Sequence, residues 1–361
     1  MARDLTSWAS SPPLPPEDLH LVLEKTVPLW EEMRGQSLFI TGGTGFFGCW
    51  LVETFCHVNR ALKLDAGITV LTRNPQMFRA KCPHLAAEPS LKLVAGDIRD
   101  FIYPQGEFSY IVHAATETTT EPAAEAQFNL LDSISRGTEH LLQFARERGT
   151  RKLLLTSSGA VYGHQPSHIT HLPETYHGAP DPLDLSSTYG EGKRLAELLC
   201  ALYGRRHSFE CKIARCWAFC GPHLPLDRHF AIGNFIADAL AGRTIQITGD
   251  GTPRRSYMYA ADLSIWLWTM LFRAPPLIAV NVGSDRDISI LELARAVANV
   301  LSSDIRVEVA KSASPGVLPV RYVPSVASAR ELLGLQQIVG LEDAIRRTAD
   351  WHRMRPYSTG R

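Results

Sequence analysis

From Gln36 onward the chain alternates two hydrophobic patterns. Short, nearly continuous apolar runs ("SLFIT", "GITVLT", "LKLVAGD", "SYIVHAA", "KLLLTSS", "ECKIARC") are separated by longer stretches with apolar residues three or four positions apart. The runs read as strands buried on both faces, and the stretches over 46–59, 123–148 and 187–206 as helices. This alternation predicts an α/β fold, a Rossmann-like doubly wound parallel sheet over 36–218. After Phe219 the rhythm loosens, with helices expected at 229–241, 259–273, 289–302 and 341–353 and short strands at "TIQIT", "AVNVG" and "IRVEV". Residues 219–361 are expected to form mainly a smaller C-terminal α/β substrate-binding lobe over the carboxyl edge of the sheet, with 278–284 returning to the main sheet. Residues 1–35 read as an N-terminal extension. Its first part is a flexible arm rich in Ser and Pro; over 17–34, helical spacing interrupted by Pro28 predicts one or two short helices on the outside of the main domain.

Bulk properties narrow the function classes. The 361 residues carry 37 basic and 37 acidic side chains, a formal net charge of zero, which argues against a nucleic-acid binder. No stretch is long and apolar enough to span a membrane, and the N-terminus lacks a basic-then-apolar leader, so a cytoplasmic protein is expected. The seven cysteines are scattered without CxxC spacing, which reads as buried thiols rather than a disulfide framework, and no metal site is expected. The histidines of "HQPSHITH" read as a surface loop, and Trp266 and Trp268 as helix packing.

The first candidate chemistry lies in "LFITGGTGFFGCWLVETF", where Gly42, Gly45 and Gly48 follow a strand and open a helix. A tight turn, a backbone that approaches a pyrophosphate and close helix–strand packing all call for glycine here, and the alternative is a plain connector. The second strand ends in "VLTRNP". Many NAD binders carry an acidic residue there for the ribose 2′-hydroxyl; Arg73 suits a 2′-phosphate instead, a slight lean from NAD towards NADP, unless it is simply a solvated side chain.

The second constellation is "LLLTSSGAVYG" followed by "SSTYGEGKRLAE". Tyr189 and Lys193 lie one helical turn apart, so both side chains emerge on one face. A nearby ammonium is expected to lower the phenol's pKa, and Ser158 at the end of a core strand to orient a hydroxyl or carbonyl. Such a trio moves a proton while a nicotinamide takes a hydride. The bland reading packs Tyr189 in the core and lets Lys193 snorkel to solvent.

With these motifs the chain resembles the extended short-chain dehydrogenase/reductase family, the nucleotide-sugar epimerase/dehydratase group in particular, from about Ser37 to Trp351. "AGDIRD", "IVHAAT", "RGTEHLLQFARERG", "IARCWAFCGP", "GDGTPRRSYMYAADL", "AVNVGS" and "VRYVPS" follow in the family's order. The resemblance implies an NAD- or NADP-binding cradle made of Gly42, Thr44, Gly45, Phe46, Phe47, Gly48, Arg73, Asp97, Ile98, Ala114, Ala115 and Thr116, with Tyr189 and Lys193 at its catalytic end. It implies catalysis by Ser158, Tyr189 and Lys193, and binding of a substrate diphosphate by Arg255 and Arg321. It also implies a nucleotide sugar as small-molecule substrate and a homodimer formed through the helices over 123–148 and 187–206.

The chain departs from the family pattern in two places. Dehydratases and decarboxylases of the group carry an acidic residue two positions before the tyrosine of "VYG". Here Gly159 and Ala160 precede Val161 and Tyr162, and Glu117 or Glu121 would have to substitute. This favours hydride transfer at sugar C4 alone, as in a 4-epimerase or 4-ketoreductase, over a 4,6-dehydratase or decarboxylase. Ala218 and Cys220 replace the usual Asn and Tyr, leaving Arg255 and Arg321 to hold the phosphates. From a different class, a non-catalytic NAD(P)-binding sensor would have no need of the intact trio.

Overall fold

The computed structural model describes residues 10–116, 121–227, 230–302, 304–314 and 316–355. The main-domain elements are α1 (Pro16–Thr26), β1 (Ser37–Thr41), α2 (Phe46–Leu62), β2 (Gly67–Thr72), α3 (Pro75–Lys81), α4 (Pro83–Ala86), β3 (Leu91–Ala95), β4 (Tyr110–His113), α5 (Ala124–Glu147), β5 (Lys152–Ser158), α6 (Thr188–Arg206) and β6 (Glu210–Cys216). Then follow β7 (Phe219–Cys220), α7 (Ala231–Leu240), β8 (Ile245–Ile247), β9 (Arg254–Ser256), β10 (Met258–Tyr259), α8 (Ala260–Arg273), β11 (Ala279–Val282), β12 (Asp287–Ser289), α9 (Ile290–Leu301), β13 (Val307–Val309), β14 (Arg321–Tyr322), α10 (Ala327–Leu333) and α11 (Leu341–Arg353).

A seven-stranded sheet runs in the order β11-β6-β5-β4-β1-β2-β3. Every pairing in it is parallel. Its central strands are apolar without alternation because helices cover both faces: Leu38, Phe39 and Ile40 of β1 are all buried, as are Leu153, Leu154 and Leu155 of β5. One core lies against α2 and α8, the other against α5 and α6. The order reverses between β1 and β4, which is where a doubly wound sheet opens a crevice at its carboxyl ends. At one edge of the main sheet, β11 (Ala279–Val282) pairs parallel to β6.

The N-terminal segment differs from the expected arm. From Ser11 onward it is docked: the Ser11 amide donates to the Lys81 carbonyl at 2.7 Å, and the Leu14 amide to Glu53 Oε1 at 2.8 Å. Trp30 and Val22 are fully buried in the core against α2 and α8. Asp18, also fully buried, accepts hydrogen bonds from Tyr259 Oη at 2.6 Å and Arg347 Nη1 at 2.7 Å. The apolar face of α1 therefore completes the core rather than decorating it. Pro28 does not break this segment; it opens a 3-10 turn over Val27–Met33.

In the C-terminal lobe, β9 pairs parallel with β14 and antiparallel with β12. Among the described residues no helix is long and apolar enough to cross a membrane.

Candidate functional site

The glycine turn is built by steric exclusion. Gly42 has φ +70°, and a Cβ on it would sit 2.4 Å from the Ala114 carbonyl oxygen of the neighbouring strand end. A Cβ on Gly48 would meet the Gly42 carbonyl oxygen at 2.1 Å, so the first turn of α2 can lie against the loop only without a side chain. Gly45 has an ordinary φ of −83° and room for a methyl. Packing does not explain it, whereas close approach of a ligand to the helix N-terminus would.

A cavity of about 1010 Å³ opens above this turn, lined by Gly42, Thr44, Gly45, Arg73, Asp97, Ile98, Ala114, Ala115 and Thr116. The structure thus brings nine of the expected cradle residues to one wall system. Phe46 and Phe47 pack on each other and Phe47 on Phe219, and Gly48 is buried in the helix–loop contact. Asp97 is oriented by Arg99, which donates from Nε to Oδ1 at 2.8 Å and from Nη2 to Oδ2 at 3.1 Å and holds the carboxyl below its ordinary pKa. Sequence reading missed the far wall of the cavity, which comes from His223 to Asp227 and from Trp351, His352 and Arg355. The cradle, the helix terminus and the cavity's size fit a dinucleotide.

The candidate proton-transfer residues converge at the carboxyl end of β5. Ser158 caps the following turn by accepting from the Ala160 amide at 3.1 Å. Lys193 does not snorkel: it is only 3% exposed, and its Nζ donates to Thr116 Oγ1 at 2.6 Å and to the Thr156 carbonyl at 2.8 Å. It lies 5.9 Å from the centre of the Tyr189 ring. Thr116 therefore connects the trio to the cavity wall.

The electrostatics correct one expectation. Burial pushes the Tyr189 phenol up to about 12, the Ser158 hydroxyl offsetting this only in part. Burial also pushes the Lys193 ammonium down to about 8. With Lys193 buried and Tyr189 partly so, desolvation is the largest influence on each, and the protein alone does not acidify the phenol.

The two arginines expected to share a diphosphate lie on opposite faces of their small sheet. Arg321 sits opposite Arg254 and Tyr322 opposite Arg255, so alternation puts Arg321 with Arg254 and Tyr322 with Arg255. Arg321 Nη1 donates to Asp287 Oδ2 at 2.7 Å, and Arg254 Nε donates to the same oxygen. Arg255 instead lies over the Tyr322 ring at 5.9 Å. Tyr322, which sequence reading passed over, is the aromatic on the site's side. Its hydroxyl lies beside Ser158, and burial pushes it well above the usual phenol range. Of the glutamates considered as substitute acids, Glu117 lies outside the described residues and Glu121 is exposed. Ala160 confirms that the turn itself carries no acid.

The model of the NAD dependent epimerase/dehydratase family matches residues 38–283. The chain belongs to that family. It is an NAD-dependent enzyme type of the extended short-chain dehydrogenase/reductase class. It is 27% identical over 333 residues to UDP-glucuronic acid decarboxylase 6 of Arabidopsis thaliana, covering 89% of this chain and 92% of the relative. It is likewise 27% identical to UDP-glucuronic acid decarboxylase 1 of Xenopus tropicalis, over 91% of this chain and 74% of the relative. The fold matches UDP-glucose 4-epimerase of Thermotoga maritima with a TM-score of 0.72 at 19% identity, over 88% of this chain and 99% of that one. It also matches a dTDP-glucose 4,6-dehydratase of Streptomyces venezuelae solved with NAD, with a TM-score of 0.73 at 24% identity, over 88% and 97%.

Proposed function

We propose that the protein modifies a nucleotide sugar by hydride transfer at sugar C4, as a 4-epimerase or 4-ketoreductase. The observation that carries this reading is the Lys193 bridge, one ammonium joining Thr116 on the cavity wall to the base of Tyr189. Gly42, Thr44, Gly45, Asp97, Ile98, Ala114, Ala115 and Thr116 would hold the dinucleotide, and Arg73 on the same wall favours NADP. When bound, an oxidised nicotinamide supplies the hydride acceptor and a positive charge that favours phenolate at Tyr189. Tyr189 Oη then takes the proton of the sugar hydroxyl as the carbon becomes a carbonyl, and gives it back on reduction. Ser158 Oγ holds that oxygen, and Arg255 pairs with a substrate phosphate. No carboxylate stands at Ala160 to remove a second proton.

Decarboxylation is the second reading, supported by the relatives and by Tyr322. Oxidation at C4 makes a 6-carboxylate β to a ketone. Such an acid loses carbon dioxide without a base and then needs only a proton donor, for which a protonated phenol beside Ser158 suffices.

The experiment is to incubate the purified protein with NAD or NADPH and UDP-glucose, a UDP-4-keto sugar or UDP-glucuronic acid. Products are followed by mass spectrometry and NMR. A C4 epimer or stoichiometric NADPH consumption supports the first reading, loss of carbon dioxide the second, and no turnover with any nucleotide sugar removes both. Tyr189→Phe should abolish turnover while leaving dinucleotide binding.

The assembly we propose is a homodimer in the cytoplasm. Leu195, Leu198 and Leu202 form an exposed stripe on α6, beside exposed Phe128 and Leu131 on α5, which packs against it. All seven cysteines are free thiols, as a reducing compartment keeps them. Sedimentation velocity tests the dimer.

A further inference from the structure

Three side chains that the proposed reaction does not use meet behind the glycine turn. Cys49 lies in α2, Cys82 between α3 and α4, and His223 in the loop after β7. Their Sγ and ring nitrogen atoms all lie within 4.8 Å of one another, and all three residues are buried. His223 is only 6% exposed, yet among the described residues neither ring nitrogen has a hydrogen-bond partner. A buried imidazole normally satisfies both nitrogens, so two unmet ones point to a missing partner. Its backbone is also left-handed, with φ +68°, an uncommon state for a non-glycine residue.

We propose that Cys49, Cys82 and His223 form a binding site for a soft divalent cation, with zinc as the best match. Two thiolates and a neutral imidazole neutralise the cation's charge, which suits a buried site, and the donor set is one that zinc takes. Tetrahedral bonds to zinc put ligand atoms roughly 3.5–3.8 Å apart, so side-chain shifts of about an ångström complete the geometry. A water can fill the fourth position from the adjoining cavity, whose wall includes His223. Binding releases two protons, one from each thiol, and changes no oxidation state.

The ion would tie together three segments that frame the cavity. Lys81, next to Cys82, already donates from Nζ to the Thr44 carbonyl of the glycine turn at 2.9 Å. The Ser11 amide binds the Lys81 carbonyl from outside, so the N-terminal segment roofs the same spot. A cation at this point would hold α2, the α3–α4 corner and the far wall of the cradle in fixed relation, whatever that cradle binds.

The test uses the full chain, stripped with a chelator under reducing conditions and then titrated with Zn²⁺ or Co²⁺ alone. Expected are one zinc per chain after gel filtration, two protons released into a weakly buffered indicator solution, and a cobalt spectrum with thiolate charge-transfer and tetrahedral d–d bands. Cys82→Ala and His223→Ala should each weaken binding by about 100-fold or more, with circular dichroism checking the fold. If either variant fails to fold, the cobalt spectrum of the unaltered chain decides the matter. Substoichiometric retention, a cobalt spectrum lacking the thiolate band, unchanged affinity in both folded variants, or isolation of a Cys49–Cys82 disulfide would each overturn the proposal.

Discussion

The hydroxyl of Tyr322 occupies the space a side chain on Gly159 would need: a Cβ there would come within 2.7 Å of Tyr322 Oη and 2.8 Å of the Trp217 ring. A phenol from the C-terminal lobe thus stands over the turn at which Gly159 and Ala160 offer no acid. Gly159→Ala should lower stability by about 1–3 kcal/mol through overpacking, read as a lower urea midpoint. Tyr322→Phe keeps the tilted ring contact with Trp217. It should leave the midpoint nearly unchanged and lower kcat without raising KM, if the hydroxyl serves the reaction rather than the packing.

Gly48 and Gly45 should respond oppositely to the same methyl group. Gly48→Ala forces a carbon to 2.1 Å from the Gly42 carbonyl oxygen and should destabilise the fold by at least the roughly 1–3 kcal/mol of an overpacked core. Gly45→Ala meets only that oxygen at 3.5 Å. It should leave thermal unfolding unchanged while weakening dinucleotide affinity, measured by calorimetry on both variants.

Lys193 makes the unliganded protein's stability depend on alkaline pH. Its ammonium is pushed from the ordinary 10.5 down to about 8 by burial, so between these values the unfolded chain binds a proton that the folded chain does not. Stability therefore rises with pH across that window. The penalty of burying the charge is fully present below about 8 and is relieved towards the ordinary lysine value. Lys193→Met removes the titration. The difference in unfolding free energy between the two proteins should shift in favour of the unaltered chain as pH rises from neutrality, and a pH-independent difference would contradict this assignment.

Arg255 and Arg321 should separate in kinetics. Arg321 shares Asp287 with Arg254, so Arg321→Met should lower the melting temperature and alter KM little. Arg255→Met leaves that ion pair intact and should raise KM for a substrate diphosphate by about tenfold or more, a loss of about 1.4 kcal/mol or more. Equal KM effects would mean that both guanidinium groups reach the substrate.

The sheet and its long helices were legible because their periods are sustained. The reading of 123–148 compares with Ala124–Glu147, and that of 187–206 with Thr188–Arg206. Helix α3 was missed although "NP" announces it, with Asn74 accepting from the Met77 amide as its cap. The small sheet of the C-terminal lobe was not legible, since strands as short as Arg321–Tyr322 carry no period. Without its register, nothing distinguishes Arg321 from its neighbour as the residue facing the site. The pKa of Tyr189 was misjudged for a similar reason: spacing places a lysine one turn away but does not report that Lys193 is buried and Tyr189 partly so. Cys49, Cys82 and His223 lack any local spacing signal, because a helix, a helix–helix junction and a loop far apart in the sequence bring them together.

Asp18 sits in α1, yet the groups that satisfy its carboxylate, Tyr259 and Arg347, lie 241 and 329 residues further along the chain. On a ribosome α1 is made before either partner and has to wait, its acid still wet, until α11 has emerged. Closure of this latch is thus a late event in maturation, and a nascent chain stalled before α11 would present its first helix unsealed to chaperones and proteases.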